Sequence, residues 1–488
     1  MLFNSYIFIL LFLPVVLLGY YGLNRLKLYK AAMGLLVIMS MLFYGYNNPA
    51  YLPILIVSVL FNYGLTRAMY AVEQKSIANR LCLTLGLLFN VGLLFYFKYF
   101  DFFLENMNAA FRTDFVLRNI VLPLGISFFT FQQLSYVIDS YRRECECYPF
   151  LEYASFVTFF PQLIAGPIVL HEELIPQFQD IQKKQVDYEN LSKGFYAFAR
   201  GLGKKVLLAD TFSQIVNAGM YNLEDYNATE IIIVMLCYTL QIYFDFSGYC
   251  DMAYGIGYMF NVKLPMNFNS PYKADSIADF WKRWHMTLTR FFTKYVYIPL
   301  GGNRKGTVRT YVNTLIVFLI SGLWHGANWT FILWGLLNGI CICFNKLTDK
   351  IWKKVPKCIR VGVTFGITNV LWLLFRETNI GEWKKVMRSL IQFRFGGVTH
   401  DFTDIINDLT EVRILARFGL NGFITAYPVI MLVALLLLAL IVVFKAENTQ
   451  EKVEKFHFSK WELLITVGLT FWCVASLSQI SEFLYFNF

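Results

Sequence analysis

The sequence predicts an all-α polytopic membrane protein, and three observations carry that prediction. Of the 488 residues, 57% are hydrophobic and only 16% are charged, whereas a soluble domain carries about 25% charged residues. Apolar runs long enough, or nearly long enough, to cross a bilayer recur along the chain. The basic residues gather in short loops between those runs, where lysine and arginine mark cytoplasmic ends. The formal charge of +10 therefore points to membrane topology, with membrane lipid as the surroundings, and not to a nucleic-acid partner.

The runs fall at about 3–23, 31–46, 51–72, 81–97, 120–139, 230–260, 361–375, 424–444 and 461–480. The first, MLFNSYIFILLFLPVVLLGYYG, has neither a basic n-region nor a small-residue cleavage site, so a retained span is expected rather than a signal peptide. NRLKLYK (24–30) carries three basic residues and no acid and belongs inside, and the uncharged NNPA (47–50) fits outside. KLTDKIWKKVPKCIR (346–360) has six basic residues against one acid, a cytoplasmic loop. Counting on from there, 376–423 is expected as a small extracytoplasmic insertion. The aromatic tail FLYFNF (483–488) then ends outside.

Between Arg309 and Lys346 there is no Asp, Glu, Lys or Arg, yet SGLWHGANWTFILWG (321–335) holds His325. The loops on either side both read as cytoplasmic, so 310–345 is expected to enter and return as a re-entrant or short-helix segment. The distance from Arg309 to His325 is about 24 Å if helical, which puts the turn deep. Irregular backbone at depth is tolerated only in protein or beside a watery cavity. An intramembrane ionisable residue is a functional candidate by default; a neutral histidine bonded to a backbone carbonyl is the alternative the residues leave open.

A second histidine lies in DFWKRWHMTLTRFFTKYVYIPLGG (279–302). Trp281, Trp284, His285, Leu288, Phe292 and Tyr295 recur at helical spacing, with Lys282, Arg283, Arg290 and Lys294 around them. That pattern predicts an amphipathic cytoplasmic-side helix over 280–300. His285 and His325 share the dipeptide Trp-His, as Trp284-His285 and Trp324-His325. His171, His400 and His457 sit in polar segments and are expected to be solvated. The nine cysteines form no CxxC pair, there is no HExxH or GxSxG, and no metal site is expected. A histidine titrating near neutrality suits a general base that moves an acyl group from a thioester to an alcohol.

Several segments together resemble the membrane-bound O-acyltransferase (MBOAT) family, in its bacterial branch that includes alginate O-acetyltransferase membrane subunits. They are LPLGISFFTFQQLSYVIDSYR (122–142), FFPQLIAGPI (159–168), YFDFSGYCDMAYGIG (243–257), the FWKRWH helix, YIPLGGNRKG (297–306) and the Trp324-His325 segment. The resemblance covers nearly the whole chain. It implies one domain over 1–488, in which a ring of helices surrounds a thin core with a cytoplasmic and an extracytoplasmic funnel. It makes His325 the catalytic histidine and His285 the second one. Trp284, Trp324, Lys282, Arg283, Lys305 and Asn328 become candidates for the donor site or funnel lining, and Asp245, Ser247 and Asp251 match a family segment in which packing is at least as good a role. Tyr485 in the tail is a candidate acyl carrier.

The resemblance further implies acetyl-CoA as donor substrate with no resident cofactor and a polysaccharide acceptor. It implies an SGNH-type extracytoplasmic transferase as partner, and the bacterial cytoplasmic membrane as location. Thr293-Lys294 departs from the Arg-Asp pair of many relatives, which puts detailed donor contacts in doubt. Two alternatives remain: D-alanyl transfer to teichoic acid, and a transporter whose histidines relay protons. The second lacks the internal repeat such folds commonly show.

Overall fold

The computed structural model describes residues 1–221, 223, 225–407, 409, 422, 427–457, 459–477 and 484. Among these, every regular element is helical. Eight helices are long and apolar enough to cross a membrane, and Tyr29–Gly45 is a shorter apolar one. The chain divides into two compact units.

The first unit comprises Met1–Ala199, Tyr249–Met266 and Arg290–Val296. Its helices include α1 (Leu13–Arg25), α2 (Tyr29–Gly45), α3 (Leu52–Ala71), α4 (Ile77–Leu94), α5 (Ile126–Arg142), α6 (Phe150–Thr158) and α7 (His171–Gln179). A buried polar network ties α3, α4, α5 and α6 together. Asn62 Nδ2 donates to Gln133 Oε1 at 2.9 Å and to Asn90 Oδ1 at 3.2 Å, Gln133 Nε2 donates to Ser58 Oγ at 2.9 Å, and the Tyr153 hydroxyl donates to Gln133 Oε1 at 3.1 Å. Where lipid surrounds helices, such interhelical bonds supply specificity that apolar contact cannot.

The expected span at 120–139 becomes α5, a helix with 14 of its 17 residues buried. It is a core element and not a lipid-facing one, which explains its Gln132, Gln133 and Asp139. His171 is not solvated as its polar neighbours predict. It is 1% exposed, and its Nε2 lies 3.1 Å from Asp139 Oδ2. The same oxygen accepts from Lys294 Nζ at 3.0 Å and from the Tyr295 hydroxyl at 2.7 Å. The partner that buries it, Asp139, comes from another helix 32 residues away. His457 is exposed as expected, and the side chain of His400 lies outside the described residues.

The second unit comprises Arg200–Gly248, Asn267–Thr289 and Tyr297–Phe488. The long helix α8 (Ala228–Met259) enters it, followed by α9 (Ile277–Arg283), α10 (Met286–Phe292), α11 (Thr307–His325), α12 (Trp329–Trp352), α13 (Lys357–Arg376) and α14 (Ile380–Ile391). The segment 280–300 is therefore not one amphipathic helix. It breaks at Trp284-His285 and becomes a π-helical turn over Thr293–Tyr297. Its apolar residues, Trp281, Trp284, Leu288 and Phe292 among them, are buried in protein and not laid on an interface.

The segment 310–345 also differs from expectation. α11 and α12 are full-length helices of 19 and 24 residues joined by a tight turn at 326–328. α11 alone spans about 28 Å, close to the hydrocarbon thickness. The pair packs with its backbones almost touching. A Cβ on Gly322 would stand 2.3 Å from the Phe331 carbonyl oxygen, and one on Gly335 would stand 2.3 Å from that of Phe318. Small residues at such crossings are what lets membrane helices gain dispersion contact.

Candidate active site

His325 occupies the last turn of α11, where Gly326 turns the backbone to an extended conformation and stops the helix. The imidazole is 4% exposed. Its ring centroid stands 4.9 Å from Trp324, 5.2 Å from Trp334 on α12 and 5.1 Å from Phe375 on α13, each edge to face. Three helices thus converge on the histidine and close it in aromatic rings.

His285 reaches the same cage from the break between α9 and α10. Its φ of +46° lies in the left-handed region that side-chain-bearing residues avoid. Two backbone bonds hold the break: Met286 N–H donates to Asn267 O at 3.0 Å, and Asn269 N–H donates to Arg283 O at 2.9 Å. Such strain persists where surrounding structure over-determines it, commonly at functional sites. His285 is fully buried. It packs edge-on to Phe246 of α8 at 4.9 Å, and its centroid is 6.0 Å from Trp324. Trp324 is accordingly the shared wall of both histidines.

The hydrogen bonds fix the tautomer of His285. Asn267 Oδ1 accepts from the Thr287 backbone N–H at 3.3 Å and from the Thr287 hydroxyl at 2.9 Å, so it is an acceptor. His285 Nδ1, 3.1 Å from that oxygen, therefore carries the proton, and Nε2 keeps the lone pair. Burial lowers the His285 pKa to about 3, which keeps the ring neutral at neutral pH. A neutral imidazole with its Nδ1–H held by an acceptor is oriented as a general base.

Of the residues singled out in the sequence, His285, His325, Trp284 and Trp324 come together. Trp284 packs 4.8 Å from Trp372, which stacks on Trp334 at 5.8 Å. Lys282 and Arg283 lie at the end of α9, one exposed and the other half-buried and bonded through Nε to Asp279 Oδ2 at 2.9 Å. Lys305 is exposed before the start of α11, about 28 Å along that helix from His325, so it does not join the cage. Asn328 does not line the cage either: its Oδ1 caps α12 by accepting from Thr330 N–H at 2.9 Å, and its Nδ2 donates to Thr378 O at 3.1 Å. Asp245 is committed to a buried ion pair with Lys205 at 2.7 Å, while Lys205 also pairs with Asp210 at 2.7 Å. Tyr485 lies outside the described residues; its neighbour Leu484 donates its N–H to Asp245 Oδ2 at 3.0 Å.

Asn267, Thr287, Trp334 and Phe375 were not anticipated. Asn267 sits in MNFNSPY, a composition that reads as surface loop. Trp334 and Phe375 were hidden among many aromatic residues in apolar helices. No group of three His, Cys, Asp or Glu side chains among the described residues is placed to hold a metal.

A buried pair of histidines sharing one aromatic wall thus sits on a polytopic helical frame. Residues 41–376 match the model of MBOAT, the membrane-bound O-acyltransferase family, and the chain belongs to that family. It is an acyltransferase. A peptidoglycan O-acetyltransferase of Helicobacter pylori is 39% identical, covering 100% of this chain and 98% of its own. A protein of Azotobacter vinelandii named "Probable alginate O-acetylase" is 35% identical, covering 88% of this chain and 84% of its own. A teichoic acid D-alanyltransferase of Bacillus subtilis is 26% identical, covering 49% of this chain and 63% of its own.

Proposed function

We propose that this protein takes an acetyl group from cytoplasmic acetyl-CoA and delivers it for O-acetylation of a cell-envelope polysaccharide, with peptidoglycan the leading acceptor. The observation that carries the chemistry is the neutral, tautomer-fixed His285 that shares the Trp324 wall with His325. The acceptor rests on the relative named for peptidoglycan, which aligns over both chains nearly end to end.

In this reading a histidine Nε2 removes the proton of the attacking hydroxyl as its oxygen bonds to the thioester carbon. The carbon–sulfur bond then breaks, and the proton returns to the leaving thiolate. Exclusion of water by Trp324, Trp334 and Phe375 limits competing hydrolysis. Lys282 and Arg283 supply positive charge on the cytoplasmic approach of the donor. The first acceptor is a hydroxyl on the extracytoplasmic side, Tyr485 being one candidate, and an SGNH-type transferase completes delivery. The protein would sit in the bacterial cytoplasmic membrane.

The test is the base-labile acetate of purified sacculi from cells making wild-type protein or His325→Ala at matched membrane levels. Loss of acetate in the variant supports the proposal, and unchanged acetate overturns it. Release of D-alanine in place of acetate from wild-type envelopes would favour the D-alanyl reading instead.

A further inference from the structure

A pocket lies in the second unit, beside the short helix that leads to Trp284-His285. It has a volume of about 630 Å³ and is walled by α9, the end of α12 and the start of α13. That size falls within the range of small-molecule sites, about 300–1,000 Å³. Seven of its lining residues are basic: Lys273, Lys282, Arg283, Lys346, Lys353, Lys357 and Arg360; three are acidic.

The acids are already engaged. Asp275 pairs with Arg360 at 2.7 Å, Asp279 with Arg283 at 2.9 Å and Asp349 with Lys353 at 2.6 Å. Lys273 and Lys346 donate only to neutral oxygens, of Ala446 and Thr314. Among the described residues, no carboxylate lies within ion-pair distance of Lys273, Lys282, Lys346 or Lys357. Four lysines therefore face one cavity with no carboxylate in ion-pair contact, and Lys273 has an acid, Glu447, at longer range.

The pocket's position narrows what would fill it. Its outer wall is formed around the loop 353–356, cytoplasmic by its charge. On α13, Arg360 is followed at i+3 and i+7 by Val363 and Ile367, which are 42% and 37% exposed. The helix thus presents a guanidinium and an exposed apolar stripe on one face. Phosphate at the rim with acyl chains along Val363 and Ile367 satisfies both. Basic pockets between membrane helices on the cytoplasmic side commonly take anionic lipid headgroups.

We propose that this pocket binds the phosphate headgroup of an anionic phospholipid such as phosphatidylglycerol. Lys282 and Arg283, which the acetyl-transfer reading sets on the approach of the donor, also line this pocket. A phosphorylated soluble ligand has the same headgroup chemistry, so the experiment separates the two.

Full-length protein in neutral detergent is loaded with phosphatidylglycerol or phosphatidylcholine, and bound lipid is counted by native mass spectrometry. The same is done for the double variant Lys346→Gln/Lys357→Gln, with circular dichroism and melting temperature confirming that it folds. The expected result is retained phosphatidylglycerol, little phosphatidylcholine, and about a tenfold loss of phosphatidylglycerol in the variant. Equal retention of both lipids, or equal retention by wild type and variant, overturns the proposal. So does displacement of the lipid from wild type by coenzyme A, which would assign the pocket to a soluble phosphate ester.

Discussion

His285 and His171 are both buried histidines with a ring nitrogen against a side-chain oxygen, and the nature of that oxygen separates them. His285 rests on the amide oxygen of Asn267, with an aromatic cage around it. His171 rests on the carboxylate of Asp139, which also receives a lysine and a tyrosine. An amide fixes a tautomer without adding charge, so the ring stays a neutral base. A carboxylate fed by three donors makes a multi-point tie between α5, α7 and the 293–297 turn. The proposed function gives chemistry to the first arrangement and a structural role to the second.

The comparison breaks most sharply if both histidines are removed in turn. His325→Ala, and to a lesser degree His285→Ala, should lower acetyl transfer by about 10²–10⁴-fold, the contribution of a positioned general base. His171→Ala should leave turnover per folded molecule within a few-fold of wild type while lowering the melting temperature. Transfer assays on purified protein alongside thermal unfolding check both. Equal activity losses at 171 and 325 would erase the distinction.

The amide-versus-carboxylate contrast can be sharpened by exchange. Asn267→Asp places a carboxylate beside His285 and favours its charged form, so the pKa rises from about 3. A protonated ring is no base, so the acid limb of the pH–rate profile should move to higher pH. A role for Asn267 in packing alone would lower the rate without moving that limb. Stability carries the opposite sign. In the wild type the unfolded chain binds the His285 proton below about pH 6.5 and the folded chain does not until about pH 3. Stability from this group is therefore present at neutral pH and lost as pH falls through that window. Melting temperature against pH should flatten in Asn267→Asp.

On the structural side, Asp139→Ala removes the shared acceptor of His171, Lys294 and Tyr295. Breaking a buried pair in this way costs about 3–5 kcal/mol, less here because Lys294 is partly exposed. A clear fall in melting temperature is expected, with catalysis in the surviving folded fraction little changed. A pH–rate profile shifted as in Asn267→Asp would instead make Asp139 part of the chemistry.

Much of this was legible in the sequence, and the failures share a cause. The apolar runs and the paired Trp-His dipeptides marked the frame and the two histidines, whereas the loop expected over 346–360 narrows to 353–356 between α12 and α13. Hydropathy did not reveal which side of a helix meets lipid: the window in Ala228–Met259 averages 1.6 and is 83% buried, while that in Ile77–Phe111 averages 1.8 and is 17% buried. The break at Trp284-His285 was invisible because its helical spacing is intact; the positive φ is imposed by Asn267 and Asn269 from a loop distant in sequence. His171 misled for the same reason, since its partner Asp139 arrives from another helix and is itself held by Lys294 and Tyr295. Local pattern records which residues are apolar, not which distant polar atom will meet them.

The smallest effect tests whether Asn328 belongs to the site or only beside it. It lies three residues from His325, and its side chain caps α12. Replacing such a cap by alanine costs about 1 kcal/mol. The cap also orients the first turn of α12, from which Phe331 projects to stand 4.9 Å from Phe375 in the wall of the cage. Asn328→Ala should therefore lower the melting temperature slightly, and Asn328→Ser, which can still accept from Thr330 N–H, should restore it. If serine restores stability but not transfer, the amide contacts a substrate and Asn328 moves from the frame into the site.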